Sequence, residues 1–211
     1  ARKAGSLWIA DEVVTGLGRS GRWFAFQGGE TRPDIVTLGK CLAGGSAPAG
    51  AVVMSKAIVD EMKDKSWQTY STFRGHPLTL AALRAHLRVL VREQLLDRVA
   101  ALEAVVERQM GEVIDQHPSV RRIDGRGLHW TVELHGGDWR TWRADVDEAP
   151  IATRVAVRAA EAGALIGTSG ERDSLFISPP LIVTEEQLSQ LFDALHHGLS
   201  LADAELEKGS A

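Results

Sequence analysis

The chain has 211 residues, 44% hydrophobic and 25% charged, and 24 basic against 28 acidic side chains leave a formal charge of −4. So mild a balance gives no electrostatic case for nucleic acid or for an anionic membrane surface, and no apolar run approaches the ~20 residues of a membrane helix. The first apolar stretch ends at Asp11-Glu12, too short for a secretory signal, and the single cysteine, Cys41, cannot close an internal disulfide. A cytoplasmic location is the expectation. With no initiator methionine and a strand almost at its start, the chain also reads as a piece of something longer.

Leu7 to Ala10 is a short apolar run that predicts a buried parallel strand ending at Asp11-Glu12. The Gly-rich, aromatic stretch from Thr15 to Pro33 has neither helical nor strand period and predicts a long ordered loop. Ile35 to Leu38 is a second buried strand, followed by Gly39-Lys40. Gly44 to Gly50 is a loop, Ala51 to Met54 a third strand, and Ser55 a candidate N-cap for a helix over Lys56 to Lys63. After Pro77 apolar residues recur at spacings of mostly three and four (Leu80, Leu83, Leu87, Leu90, Leu95, Val99, Leu102, Val106), which predicts one helix to about Gln116. The remainder predicts a strand over Gly127 to Leu134, a polar loop from Gly136 to Glu148 and a helix from Ile151 to Ala162. A strand over Leu175 to Ser178 and a helix from Thr184 to about Ala202 follow, the last opened by the capping box Thr184-Glu185-Glu186-Gln187. The fold class is α/β, with a first block over residues 1–100 and a smaller α/β block over 101–211.

Two residues carry a chemical expectation before any family is considered. Lys40 sits past the end of an apolar strand among Gly and small apolar neighbours, where its ammonium group would lose hydration and favour the neutral amine that attacks carbonyls. Asp11 ends the other apolar strand. Ligands collect at the carboxyl ends of parallel strands, so the two could converge there. An ordinary ion pair at a sheet rim is the alternative. Gly16-Leu17-Gly18-Arg19-Ser20-Gly21 fits a dinucleotide-binding pattern, but Arg22-Trp23-Phe24-Ala25 after it is a poor helix start, which that fingerprint requires. The seven histidines lack metal-ligand spacing, so no metal is expected. Cys41 reads as a small buried filler.

The longer segments resemble a family. Residues 10–25, from Ala10-Asp11-Glu12-Val13-Val14 onward, are similar to the segment of class III aminotransferases that holds the pyridine ring of pyridoxal 5′-phosphate (PLP). Pro33-Asp34-Ile35-Val36-Thr37-Leu38-Gly39-Lys40 resembles its cofactor-lysine segment, and Ser71-Thr72-Phe73-Arg74-Gly75-His76-Pro77 its loop that reaches the cofactor phosphate of a neighbouring subunit. Gly125-Arg126-Gly127-Leu128 and Ser178-Pro179-Pro180-Leu181 resemble its small-domain signatures. The resemblance implies a fold type I PLP enzyme: the C-terminal part of the large domain, a mostly parallel sheet with flanking helices, followed by a small α/β domain. It implies a homodimer with shared sites, a small-molecule amino donor and a keto acid acceptor. It assigns Asp11 to the pyridine nitrogen, Val13 to one ring face, Lys40 to covalent attachment and proton transfer, and Thr72 to the phosphate.

Phe176 stands where many members that act on α-amino acids carry a carboxylate-binding arginine, and Val14 where they often carry a glutamine. Both changes resemble the branch that uses ω-amino acids or amines with pyruvate; Arg172 is a candidate carboxylate clamp. The family's Gly/Ser-rich phosphate cup and ring-stacking aromatic precede the Asp11 segment, so a missing N-terminal half and weak cofactor binding by the isolated chain are expected. The same scaffold also supports aminomutase, racemase or phospho-lyase chemistry. A truncated, non-catalytic dimer-interface module is the alternative of another class.

Overall fold

In the computed structural model, residues 2–66, 69–135, 148–169 and 173–209 are described. They form two compact units, Ala1–Arg98 and Val99–Ala211.

The first unit is built on three short strands, β1 (Ile9–Asp11), β2 (Ile35–Leu38) and β3 (Ala51–Met54), in the order β1-β2-β3. β1 and β2 are parallel, with Ile9 opposite Ile35 and Asp11 opposite Thr37. β3 runs antiparallel to β2, pairing Leu38 with Ala51. The two-sided burial expected of these strands is not found: Leu7 and Ile9 on one edge and Val52 and Val53 on the other are exposed, since the first unit has no described layer over those side chains. Helix α1 (Lys56–Met62) follows Ser55, whose hydroxyl makes no cap bond. Helix α2 (Pro77–Arg92) starts with proline at a first-turn position, where the missing N–H costs nothing. It packs against the short 3-10 helix Lys40–Ala43, and Leu42, Ala43 and Leu90 are buried.

The single long helix expected over 77–116 is two. Gln94 adopts φ +49°, which interrupts the helix, and α3 (Leu95–Gln116) begins at the next residue. In the second unit α3 supplies Val99, Val106 and Val113 to a core completed by β4 (Val120–Arg126), β5 (His129–Leu134), α4 (Ile151–Glu161), β6 (Gly167–Thr168), β7 (Ser174–Ile177) and α5 (Glu185–Gly209). The sheet order is β4-β5-β7-β6, all antiparallel. Along β5 the residues Trp130, Val132 and Leu134 are buried while their neighbours are half-exposed, the two-residue period of a strand with one covered face. The strand expected from Gly127 starts at His129 because Gly127, at φ +58°, turns the chain back from β4. The polar loop expected over 136–148 lies outside the described residues except for its last one. The capping box at α5 forms: Gln187 N–H donates to Thr184 Oγ1 (3.2 Å) and Thr184 N–H to Gln187 Oε1 (3.0 Å). Among the described residues no helix is long and apolar enough to cross a membrane.

Candidate active site

Parallel pairing carries the last residue of β1 and the end of β2 to the same edge of the sheet. Asp11 closes β1. Its Oδ1 accepts the hydroxyl of Thr37 (3.0 Å), its register partner on β2, and the N–H of Val13 (3.0 Å). Both bonds fall on one carboxylate oxygen. Oδ2 of this exposed side chain stays open toward the strand tips.

Lys40 lies two residues beyond the end of β2 and opens the 3-10 turn Lys40–Ala43 with φ +43°, a left-handed conformation that side chains other than glycine rarely adopt. Strain of this kind persists only where the surroundings enforce it, and it clusters at functional sites. The burial expected around the lysine is not found: Leu42 and Ala43 turn into the core, whereas the left-handed turn leaves Lys40 exposed. Val13 is half-buried and touches the same turn, since a Cβ placed on Gly39 would lie 3.3 Å from Val13 Cγ1. Asp11, Val13 and the Gly39-Lys40 turn therefore form one assembly. Thr72 stands on a different element, the exposed turn before α2, whose hydrogen bonds run within the turn (Arg74 N–H to Ser71 O, 3.2 Å; His76 N–H to Phe73 O, 3.2 Å).

Three residues to which sequence reasoning assigned no role hold this assembly. Glu12 is buried at 3% exposure; its Oε2 accepts Thr15 Oγ1 (2.6 Å) and Ala25 N–H (3.0 Å), and its Oε1 accepts Phe26 N–H (2.9 Å). One carboxylate thus folds the loop from Val13 to Phe26 back onto the residue beside Asp11. The only sequence signal for it was a carboxylate next to a strand end, which reads equally as a solvated rim charge. Thr37 was visible only as a strand residue. His86 of α2 fills the space under the lysine turn: a Cβ on Gly44 would sit 2.6 Å from its Nδ1, and Gly44 itself is at φ +60°. Burial pushes the His86 imidazole below its usual range, and its Nε2 is buried without a hydrogen-bond partner, so the ring serves as a neutral packing block.

Burial also pushes the Cys41 thiol up, only partly offset by Arg19, and its Sγ lies 3.6 Å from Gly16 O. A protonated thiol is no nucleophile at neutral pH. Residues 16–21 form consecutive turns with no helix opening after them, so the glycine spacing there serves the loop that Glu12 organises. In the second unit Phe176 stacks on His129 (centroids 6.1 Å apart, planes at 13°), and Val14 of the first unit is exposed. Arg172 lies outside the described residues.

Residues 1–199 match the family Aminotransferase class-III. Ornithine aminotransferase 1 of Staphylococcus aureus is 35% identical over 189 residues, 89% of this chain and 43% of that protein. An uncharacterised aminotransferase of Schizosaccharomyces pombe is 31% identical over 203 residues, 92% of this chain and 44% of its own length. Among solved structures, an S-selective transaminase from Arthrobacter sp. with alanine bound superposes with a TM-score of 0.87 at 33% identity, over 96% of this chain and 45% of the other. Acetylornithine aminotransferase from Elizabethkingia anophelis gives 0.80 at 30% identity, over 94% and 47%. An α/β chain with an acid and a lysine at adjacent parallel strand ends, matched over nearly its whole length, belongs to the class III aminotransferase family. It spans somewhat less than half the length of the relatives it matches.

Proposed function

We propose that this chain is the C-terminal part of a PLP-dependent transaminase that moves an amino group from an amine or ω-amino acid to a keto acid such as pyruvate. The observation that carries the reading is the juxtaposition of Asp11 and Lys40 at the ends of neighbouring parallel strands. The residues present fit the cofactor. Asp11 offers an open Oδ2 with its other oxygen pinned, Val13 offers an apolar face beside it, and Lys40 offers an exposed amine.

Bound PLP supplies an electron sink for the charge left at the substrate Cα when its proton departs. Asp11 keeps a proton on the pyridine nitrogen by accepting it at Oδ2, because Thr37 and the Val13 amide occupy Oδ1. Val13 packs against one ring face. Lys40 holds the cofactor covalently; once displaced by the substrate amine, its Nζ takes the Cα proton and returns it one atom away. Thr72 donates its hydroxyl to the phosphate across the interface of a homodimer, and a polypeptide matching the relatives' N-terminal half supplies the rest of the phosphate site. The preference for amines and ω-amino acids is supported by Phe176, an apolar ring where an arginine would bind a carboxylate, and by the likeness to an S-selective transaminase and to ornithine aminotransferase.

The test is borohydride reduction of the assembled protein with PLP, followed by peptide mass analysis. A phosphopyridoxyl group on Lys40, lost in Lys40→Ala, is expected; label scattered over other lysines, or none, overturns the reading. With pyruvate and an amine donor the protein should form alanine in step with deaminated donor, and lyase or racemase products would overturn the transaminase assignment.

A further inference from the structure

The second unit holds a line of ionisable side chains that transamination does not use. His117 follows the end of α3, Ser119 precedes β4, and His196 and Asp203 lie seven residues apart on one face of α5. Asp203 Oδ2 is 2.6 Å from His117 Nδ1, and His117 Nε2 is 2.7 Å from His196 Nδ1. The other Asp203 oxygen accepts the Ser119 hydroxyl (2.5 Å) and the Ser119 N–H (3.1 Å). The two imidazole centroids are 5.0 Å apart. His117 and Asp203 are largely buried, at 9% and 19% side-chain exposure.

Counting donors fixes the protons. A carboxylate only accepts, so His117 carries its proton on Nδ1. When His117 is neutral its Nε2 is a bare acceptor, and His196 must donate from Nδ1, which leaves His196 Nε2 bare. One more proton enters without breaking the line. It binds His196 Nε2, the proton between the rings passes from His196 Nδ1 to His117 Nε2, and the positive charge ends on His117, one hydrogen bond from Asp203. A second added proton has no such solution: both inner nitrogens would carry hydrogens and face each other across 2.7 Å.

We propose that His117 and His196 form a proton-binding site that takes up one shared proton reversibly, and a second only by breaking the contact that ties the end of α3 to α5. The surroundings agree with this order. Burial and then the charge of His117 push the His196 imidazole below its usual range, with Asp193 on the same helix and Glu112 on α3 opposing them. Burial pulls the Asp203 carboxyl up, but the Ser119 hydroxyl, His117 and the Ser119 amide outweigh it and hold it below the usual carboxylate range. Asp203 therefore stays an acceptor while the histidines titrate. The remaining charged groups on neighbouring elements are engaged with one another: Glu112 with Arg108 (3.5 Å), Arg121 of β4 with Glu133 (3.4 Å), and Arg154 of α4 with Glu148 and Glu205, leaving Arg158 as the other base of α4. Because His196 binds its proton less readily folded than unfolded, the contact's contribution to stability is whole above about pH 6.5 and drains away as pH falls below it.

Nitrogen-15 NMR of the histidine rings in the full chain, titrated from pH 8 to pH 4.5, tests the site. At pH 8 both rings should be protonated at Nδ1 and bare at Nε2. On acidification one proton should perturb both rings together; a separate, later step should coincide with loss of hydrogen-exchange protection at the Ser119 amide. His196→Gln should reduce the two steps to one, on His117. A bare Nδ1 on His117 at pH 8, rings that titrate independently as free imidazoles, or two steps persisting in His196→Gln would each overturn the proposal; the titration of the unaltered chain decides the matter even if that variant folds poorly.

Discussion

Replacing Glu12 by glutamine keeps the size of the side chain and removes its charge, so it isolates what the buried carboxylate does. The most favourable amide orientation leaves oxygen where Oε2 now accepts Thr15 Oγ1 and Ala25 N–H, and puts the NH2 group against Phe26 N–H. The two retained bonds lose charge assistance, roughly 1 kcal/mol each, and a buried donor left without an acceptor costs about 2 kcal/mol. The expected loss is therefore about 4 kcal/mol in the free energy that keeps the loop closed. At 1.4 kcal/mol per factor of ten, that is close to a thousandfold. Hydrogen exchange reads it at amides that Glu12's side chain does not touch: Gly16, bonded to Glu12 O, Leu17, bonded to Trp23 O, and Gly18, bonded to Arg22 O. Their protection should fall together by two to three decades. Protection within a factor of about two of the parent chain would show that backbone turns alone close this loop, and the positioning of Asp11 and Val13 would need another cause.

Two further substitutions probe backbone and packing. Lys40→Gly should raise stability by about 1 kcal/mol because glycine adopts φ +43° without strain, whereas Lys40→Ala should not; chemical denaturation of the pair measures the difference. Gly125→Ala should cost the second unit about 2 to 3 kcal/mol, since the added Cβ would fall 2.3 Å from Cδ2 of Trp130 on the paired strand; a melting temperature unchanged from the parent would refute that packing.

The sequence is readable where local chemistry and burial agree. β2 and β3 are short runs of β-branched residues bounded by Gly and Pro and appear at the positions read for them, and the box Thr184 to Gln187 forms with both of its bonds. It is opaque where one residue departs from its neighbours without a glycine or proline to mark it. Gln94 breaks the helix in a left-handed turn that apolar spacing cannot reveal, and Lys40 turns outward in the same conformation, so its exposure contradicts its apolar neighbours. β4 escaped because only Val120 and Ile123 turn inward and the rest of the strand is exposed and charged. The site was legible as far as its motif residues. The groups that position them, Glu12 across thirteen residues and Thr37 across twenty-six, depend on partners that become neighbours only when the strands pair.

The imidazole wedged beneath Gly44 ties two distant positions into one choice. No side chain can be grafted at 44 while the ring at 86 stays where it is, and shrinking that ring alone would hollow out the floor under the lysine turn. Anyone reshaping this enzyme near its reactive amine has to redesign residues 44 and 86 as a couple.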